Sequence, residues 1–218
     1  MSTELSFKII GFLALVVSII LHEVAHAYAA LRCGDPTARD AGRITLNPIP
    51  HIDLVGSIIL PGFLILSGSG FFFAWAKPVP INLARCRNPR EAYWITAIAG
   101  PLANLAQALV AVAGMAAIWK FAGNLAAPAT SYAFSALMVY GIVNVTLMAL
   151  NLIPIPPLDG SRVITVLLPR EIAWRYAQIE RYGFIILIAL INMPFFRESF
   201  RRIPSGFVNI VDKILRQI

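Results

Sequence analysis

The chain has 218 residues, of which 58% are hydrophobic and only 13% are charged, and its mean hydropathy is +0.74. Soluble globular domains contain about 25% charged residues, so the composition excludes a soluble globule. The net charge of +7 comes from Lys and Arg residues in short clusters between apolar segments. Such clusters are typical of membrane topology signals, whereas a nucleic-acid interface would gather them on one face. The sequence therefore predicts a polytopic membrane protein.

A first membrane span is predicted from about Leu5 to Leu31, and the breakers Gly34-Asp35-Pro36 stop it. Two basic stretches follow along the chain, Cys33–His51 and Lys77–Arg90. Cytoplasmic loops of membrane proteins carry an excess of Lys and Arg. We therefore expect both stretches on the cytoplasmic side.

The apolar stretch Leu54–Ala76 lies between the two basic loops. It is long enough to cross the bilayer once, but Pro61-Gly62 and Ser67-Gly68-Ser69-Gly70 interrupt it. A single crossing would put the basic loops on opposite sides of the membrane. A re-entrant hairpin keeps them on the same side, and the sequence favours that hairpin.

Two further spans are predicted at about Ala92–Trp119 and Ser131–Leu150. The Pro-rich stretch Asn151–Gly160 comes next and cannot continue as a helix, because its three prolines remove backbone donors and enforce extended backbone. Non-helical backbone at membrane depth is tolerated where it lines a protein-enclosed cavity. The predicted fold class is an all-α polytopic membrane protein with about four to six transmembrane segments, a re-entrant hairpin and this broken segment beside the active site.

The C-terminal part leaves two alternatives open. The apolar run Gly183–Phe196 would be about 21 Å long as a helix, shorter than the roughly 30 Å hydrocarbon core. Either it crosses, or Ile203–Ile218 lies on the inner membrane surface as an amphipathic helix. We expect residues 1–218 to form a single membrane protease domain, with a catalytic core of about 5–168 and a C-terminal segment and tail at 182–218.

The strongest chemical signal is His22-Glu23-Val24-Ala25-His26 near the end of the first span. Histidines at i and i+4 share a helix face, so both imidazoles can reach one Zn²⁺, and Glu23 is placed to take a proton from water at the metal. The alternative is that these polar residues only pack helices together. Burying three ionisable side chains in an apolar helix costs several kcal/mol, which favours a metal site.

Asp159 is the best candidate for the third zinc ligand. Six other candidate acids are in or beside the first loop, at the start of a span, or among basic residues; they are Asp35, Asp40, Asp53, Glu91, Glu171 and Glu180. Asp159 instead ends the Pro-rich stretch. If Leu54–Ala76 is a hairpin, the chain directions place His26 and Asp159 on the same side of the membrane.

Together the motifs resemble those of the site-2 protease family of intramembrane zinc metalloproteases, peptidase family M50. The resemblance rests on His22-Glu23-x-x-His26, on Asn151-x-x-Pro-x-x-Pro-x-Asp159-Gly160 and on Gly100-Pro101-x-x-Asn104. Residues 42–53 and 75–80 are similar to those of the short bacterial subgroup, which lacks an appended PDZ or CBS domain.

The resemblance implies that His22, His26 and Asp159 bind one zinc ion per chain and that Glu23 is the catalytic base. It also implies that Asn151 positions substrate or stabilises the oxyanion, a role its amide donor allows; the alternative is that Asn151 only caps the end of its helix. The expected function is hydrolysis of a peptide bond in or near a transmembrane segment, as in regulated intramembrane proteolysis.

The expected partners are transmembrane substrates and the lipid bilayer, without nucleic acid. We expect location in a bacterial or archaeal inner membrane with the active site toward the cytoplasm. A membrane transporter or a non-proteolytic metal-binding scaffold is the alternative function. Two polar residues carry weaker expectations. His51 either supports the site or acts as a gate, or it forms a surface pair with Asp53, which is the favoured alternative. Asn104 either serves the site or makes an interhelical hydrogen bond.

Overall fold

A computed structural model of the chain describes residues 3–59, 63, 66, 75–122 and 127–217. These residues form α-helices joined by turns and short 3₁₀ or π-helical segments, and no strand occurs among them. In chain order the α-helices are α1 (Thr3–Cys33), α2 (Thr37–Asp40), α3 (Pro89–Phe121), α4 (Pro128–Asn151), α5 (Asp159–Leu167), α6 (Arg170–Ala177), α7 (Gly183–Asn192) and α8 (Pro194–Leu215). Three of these, α1, α3 and α4, are long and apolar enough to cross a membrane. The predicted all-α membrane fold is thereby confirmed.

Helix α1 ends where the sequence places a helix stop. The Gly34 N–H donates to the Leu31 carbonyl at 3.0 Å, and the Asp35 N–H donates to the Ala30 carbonyl at 2.9 Å. Gly34 has a φ of 109°, in the left-handed region that glycine adopts without a steric penalty. This pair of hydrogen bonds is a Schellman motif, which fixes the end of the helix that carries His22 and His26.

The chain divides into two compact units. The first, which we call the histidine unit, is Ile19–Gly100; the second, the aspartate unit, comprises Met1–Ser18 and Pro101–Ile218. The boundaries fall inside α1 and α3, so each of these helices contributes residues to both units. The expectation of a single protease domain stays a prediction.

In the histidine unit, the two ends of the stretch predicted to be a hairpin lie together. Leu54–Ile59 forms a short π-helix, the Trp75 N–H donates to the Gly56 carbonyl at 3.1 Å, and the Ser57 hydroxyl donates to the Trp75 carbonyl at 2.8 Å. The Trp75 indole occupies the space that a side chain on Gly56 would need. The chain therefore comes back beside Gly56 and Ser57 at Trp75, as a hairpin requires. Residues 60–74, apart from Phe63 and Leu66, lie outside the described residues.

In the aspartate unit, the C-terminal helix α8 packs on the apolar helices α3 and α4. Its residues Phe207, Val211 and Leu215 share one face at a spacing of four and are buried with Ala108 and Met115 of α3. The Phe207 ring fills the space beside Gly141 of α4. The tail is amphipathic as predicted, but its apolar face is covered by protein helices.

The apolar run Gly183–Phe196 does not form one helix. Helix α7 ends at Asn192, and Pro194 begins α8 at its first helical position. At ten residues, α7 is about 15 Å long, half of the roughly 30 Å hydrocarbon core. Pro194 therefore separates two helices within this run, and α7 alone is too short to cross as a straight helix.

A buried polar cluster links three helices of the aspartate unit. The Asn104 side-chain amide donates to the Asn144 Oδ1 at 2.9 Å, and the Asn144 amide donates to the Ser18 hydroxyl oxygen at 2.9 Å. All three side chains are fully buried. Small and amide side chains hold membrane helices together by such bonds, so Asn104 makes the interhelical hydrogen bond that was one of its two predicted roles.

Candidate active site

His22 and His26 present their imidazoles to each other on one face of α1. Their Nε2 atoms are 3.0 Å apart, the ring centroids are 4.6 Å apart, and both side chains are buried. The spacing of four residues produces this arrangement, because it corresponds to about one helical turn. The structure therefore directs both nitrogen donors to one point.

A backbone carbonyl fixes the tautomer of His26. The Nδ1 atom of His26 lies 2.6 Å from the carbonyl oxygen of Thr96 in α3. A carbonyl oxygen can only accept, so Nδ1 carries the proton and Nε2 keeps its lone pair. Metal-bound histidines are held by the same kind of outer contact. His26 is thus oriented with its unprotonated nitrogen toward His22.

Gly100 makes room for the two imidazoles. It lies one turn beyond Thr96 in α3, and a Cβ atom there would be 2.5 Å from Cε1 and 2.6 Å from Nε2 of His22. The same Cβ would also overlap Nε2 of His26. Any residue other than glycine would displace the rings. Sequence reasoning included Gly100 in a motif but missed this steric role, because the contact joins residues about 75 positions apart.

Glu23 is half-buried and is held by a backbone donor. Its Oε2 accepts a hydrogen bond from the Val79 N–H at 3.0 Å. Val79 lies in Trp75–Asn82, a non-helical segment that we call the strap. The carboxylate beside the first histidine therefore has a fixed orientation within the histidine unit.

Asp159 is the first residue of α5 in the aspartate unit and is buried. The non-helical residues 152–158 precede it, as the prolines predict, and they turn back over the helix start. A Cβ on Gly160 would overlap the Leu152 carbonyl oxygen and lie 2.7 Å from the Ile153 carbonyl oxygen. Glycine is thus required after Asp159 so that these carbonyls can pack on the helix start.

Among the described side chains, Asp35 and Asp159 are the two buried acids. Both carboxylate oxygens of Asp35 are used locally: Oδ1 accepts from the Thr37 N–H at 2.9 Å and from the Thr37 hydroxyl, and Oδ2 accepts from the Asn82 N–H at 2.6 Å. Burial opposes ionisation of Asp35, but these hydrogen bonds and the charge of Arg85 hold its pKa below the usual value. Asp35 therefore has a structural task, and Asp159 as a metal ligand stays a prediction.

Asn151 is the last residue of α4 and is half-buried. Its side-chain amide donates to the Leu147 carbonyl of its own helix at 3.1 Å. In this arrangement the amide satisfies a backbone carbonyl near the helix end. The oxyanion role of Asn151 stays a prediction.

His51 is buried, so its expected surface pairing with Asp53 is wrong. Its Nε2 lies 3.0 Å from the Thr45 carbonyl oxygen, and its own carbonyl accepts the Lys77 N–H at 2.9 Å. Asp53 instead accepts hydrogen bonds from the N–H groups of Val55 and Gly56. The loop folds back on itself and onto the strap, which local sequence does not reveal.

The sequence model described as Peptidase family M50 matches residues 10–192 of the chain. The chain belongs to peptidase family M50. Among its relatives, the Bacillus subtilis (strain 168) protein named "Putative zinc metalloprotease YwhC" is 36% identical over 182 residues, covering 84% of this chain and 80% of that protein. No solved structure was found to match the chain.

Two mycobacterial relatives carry the name "Putative zinc metalloprotease Rip2". The Mycolicibacterium smegmatis protein is 31% identical over 192 residues, covering 88% of this chain and 70% of the relative. The Mycobacterium tuberculosis (strain H37Rv) protein is 28% identical, covering 82% of this chain and 65% of the relative. Together the matches favour proteolysis over the transporter and scaffold alternatives.

This M50 peptidase is an integral membrane zinc metalloendopeptidase of the site-2 protease type, and membrane proteases of its family act on membrane proteins within the bilayer. The donor chemistry of the histidine unit fits zinc. Tetrahedral zinc with bonds of about 2.0–2.1 Å to nitrogen needs donors roughly 3.3 Å apart, close to the 3.0 Å between the two Nε2 atoms. The Thr96 carbonyl also holds His26 in the tautomer that a metal requires.

Proposed function

We propose that His22, His26 and Asp159 bind the single zinc ion of this M50 peptidase and that Glu23 is its general base. The approach of the two Nε2 atoms, with His26 oriented by Thr96, carries the proposal. Asp159 is added because it is buried and because the other buried acid, Asp35, is engaged in its own loop. Two imidazoles and one carboxylate are a common set of protein ligands for catalytic zinc.

Zinc bound by such a set acts as a Lewis acid that activates water for attack on an amide carbonyl. Glu23 takes the proton from the attacking water and returns it to the leaving amine. The Val79 N–H holds one carboxylate oxygen, so the other can face the water. The Asn151 side-chain amide releases the Leu147 carbonyl and donates its hydrogen bond to the substrate oxygen instead, which stabilises the developing oxyanion.

The substrates we propose are transmembrane segments of other membrane proteins, cut during regulated intramembrane proteolysis. We propose further that residues 1–218 act as one protease domain in a bacterial or archaeal inner membrane. Basic residues cluster in the loops at 32–43 and 77–90, and the positive-inside rule assigns such loops to the cytoplasm. His22 and His26 lie near the α1 end that leads into the first loop, which supports an active site toward the cytoplasm.

The ligand set is tested by zinc per chain in detergent-purified protein, measured by elemental analysis, together with cleavage of a reconstituted single-pass substrate. We expect about one zinc in the wild type and in Glu23→Gln, and a sharp reduction in Asp159→Ala. Both variants should lose cleavage. Asp40→Ala is the matched control, since Asp40 is exposed and pairs with neighbouring Arg39.

Each measurement can contradict the assignment. Equal zinc in wild type and Asp159→Ala would move the third ligand elsewhere. Cleavage by Glu23→Gln at the wild-type rate would exclude Glu23 as the base.

A further inference from the structure

The strap presents a single backbone donor to Glu23. Pro78 and Pro80 flank Val79, and proline has no N–H. Residues before proline are restricted to extended backbone, which applies to both Lys77 and Val79. The sequence Lys-Pro-Val-Pro therefore makes a stiff, extended segment whose central N–H meets the Glu23 carboxylate at 3.0 Å.

The strap is fixed on the N-terminal side of Val79 at Lys77. The Lys77 N–H donates to the His51 carbonyl at 2.9 Å, and the Lys77 carbonyl accepts from the Arg43 guanidinium at 2.5 Å. Both groups of the Lys77 backbone are thus bonded, two residues before the donor to Glu23.

The strap is fixed on the C-terminal side at Asn82. Its N–H donates to the Asp35 carboxylate at 2.6 Å, three residues after Val79. Asp35 is fully buried and lies just beyond the end of α1. The helix that carries Glu23 and the segment that orients Glu23 are therefore joined through the Asp35 carboxylate.

Arg43 is an unusual fixing point. The side chain is only 6% exposed, and it pairs with no carboxylate in the described part of the chain. Residues 60–74 contain no Asp or Glu to supply one. A buried guanidinium without an ion pair is costly. An apolar residue at position 43 could pack the loop without that cost. The hydrogen bond from Arg43 to the Lys77 carbonyl explains why a charged residue is buried at this position.

We propose that the strap is a positioning device for the general base, in which Asp35 and Arg43 fix the segment whose Val79 N–H orients the Glu23 carboxylate. The inference rests on the proposed role of Glu23. It assigns tasks to two charged residues in the first loop that neither bind zinc nor contact the scissile bond. The device acts on the rate of proton transfer, whereas zinc binding depends on the three proposed ligands.

The decisive variant is Val79→Pro, which removes the N–H from an already extended segment. The comparison variant is Val79→Ala, which truncates the same side chain but keeps the N–H. We expect kcat for a reconstituted substrate to be about 10- to 100-fold lower in Val79→Pro than in Val79→Ala, the size of one hydrogen bond to a charged group. KM and zinc per chain should agree within about twofold between the two.

Arg43→Ala provides a second route that leaves every backbone donor in place. We expect its kcat to fall by about tenfold with zinc unchanged, because the strap loosens at Lys77. Arg39→Ala is its matched control in the same loop, since Arg39 is exposed and pairs with Asp40; it should keep the wild-type kcat. If Val79→Pro fails to fold, the Arg43 and Arg39 pair decides.

Glu23→Gln in the same series separates the two hypotheses. If it cleaves like wild type, the role of Glu23 as base is wrong. If it is inactive while Val79→Pro matches Val79→Ala and Arg43→Ala matches Arg39→Ala, the base stands and the strap inference is overturned. Introducing Val79→Pro into Glu23→Gln should leave zinc per chain unchanged, since the orienting bond then has no base to act on. A loss of zinc in the double variant would indicate a general structural role of the strap and overturn the inference.

Discussion

The histidine unit and the aspartate unit fix their predicted site residues by different means. In the histidine unit, contacts between distant segments orient these residues. The Thr96 carbonyl holds His26, Gly100 leaves space for both imidazole rings, and the Val79 N–H binds the Glu23 carboxylate. In the aspartate unit, the backbone around Asp159 is shaped locally by prolines and by the glycine that follows. The comparison predicts that the histidines are sensitive to substitutions far away in sequence, whereas Asp159 is sensitive mainly to its neighbours.

The largest effect should come from Gly100→Ala. The added Cβ would lie about where the two imidazoles now pack, so at least one ring must leave its position. We expect zinc per chain to fall below about a tenth of the wild-type value, since losing one ligand weakens such sites severely. Elemental analysis of the purified variant measures this directly.

Gly11→Ala is the matched control for this prediction. Gly11 also lies in a long apolar helix, α1, but a Cβ there would meet nothing within 4 Å. It should keep wild-type zinc. Wild-type zinc in Gly100→Ala would show that the rings can move aside without losing the metal, and would remove the distinction between the two units.

A smaller effect is expected from Tyr176→Phe in the aspartate unit. The Tyr176 hydroxyl donates to the Pro154 carbonyl at 2.6 Å. This hydrogen bond ties the Pro-rich segment to a residue outside it. Loss of one such hydrogen bond costs about 1 kcal/mol, so we expect faster amide exchange in residues 152–158 of the zinc-free protein. Zinc affinity should weaken by no more than about fivefold.

The control here is Tyr182→Phe, since the Tyr182 side chain is exposed and stacks on Arg181. It should leave exchange in the Pro-rich segment unchanged. A loss of zinc in Tyr176→Phe as severe as in Gly100→Ala would mean that Asp159 depends on distant contacts as much as the histidines do.

The smallest effect concerns pH and Asp35. Its hydrogen bonds hold the pKa in the folded protein below the usual value, despite burial. A depressed carboxyl pKa contributes stability above the unfolded value, about 3.9, and this stability is lost as the pH falls through the folded value. The wild-type unfolding temperature should therefore drop below about pH 4, and Asp35→Asn should show a shallower drop than Asp40→Asn. If the unfolding temperatures of Asp35→Asn and Asp40→Asn fall equally with pH, the hydrogen bonds of the ionised Asp35 carboxylate do not contribute to stability.

Local signals in the sequence predicted several parts of this structure. Gly34-Asp35-Pro36 predicted the end of α1, and the spacing of His22 and His26 predicted a shared helix face, because both depend on residues close in the chain. The break between α7 and α8 at Pro194 is a local signal that the sequence analysis did not use. Prolines before Asp159 predicted non-helical backbone.

The remaining features depend on contacts that no local pattern encodes. The roles of Gly100 and Val79 follow from packing between segments about 55 to 80 residues apart. His51 was expected at the surface because a loop histidine beside an aspartate usually lies there, but folding of the loop onto the strap buries it. Such contacts become visible only when the helices and loops are assembled.

The Thr96 carbonyl and the Gly100 recess have a thermodynamic consequence for metal uptake. Side chains that are mobile before binding lose rotamer freedom when a ligand orders them, and that loss weakens the observed affinity. His26 is already restrained by its bond to Thr96, and the packing of both rings on Gly100 restricts their alternatives. If His22 and His26 bind the zinc ion as proposed, most of the entropic cost of ordering their side chains is therefore met when the helices assemble.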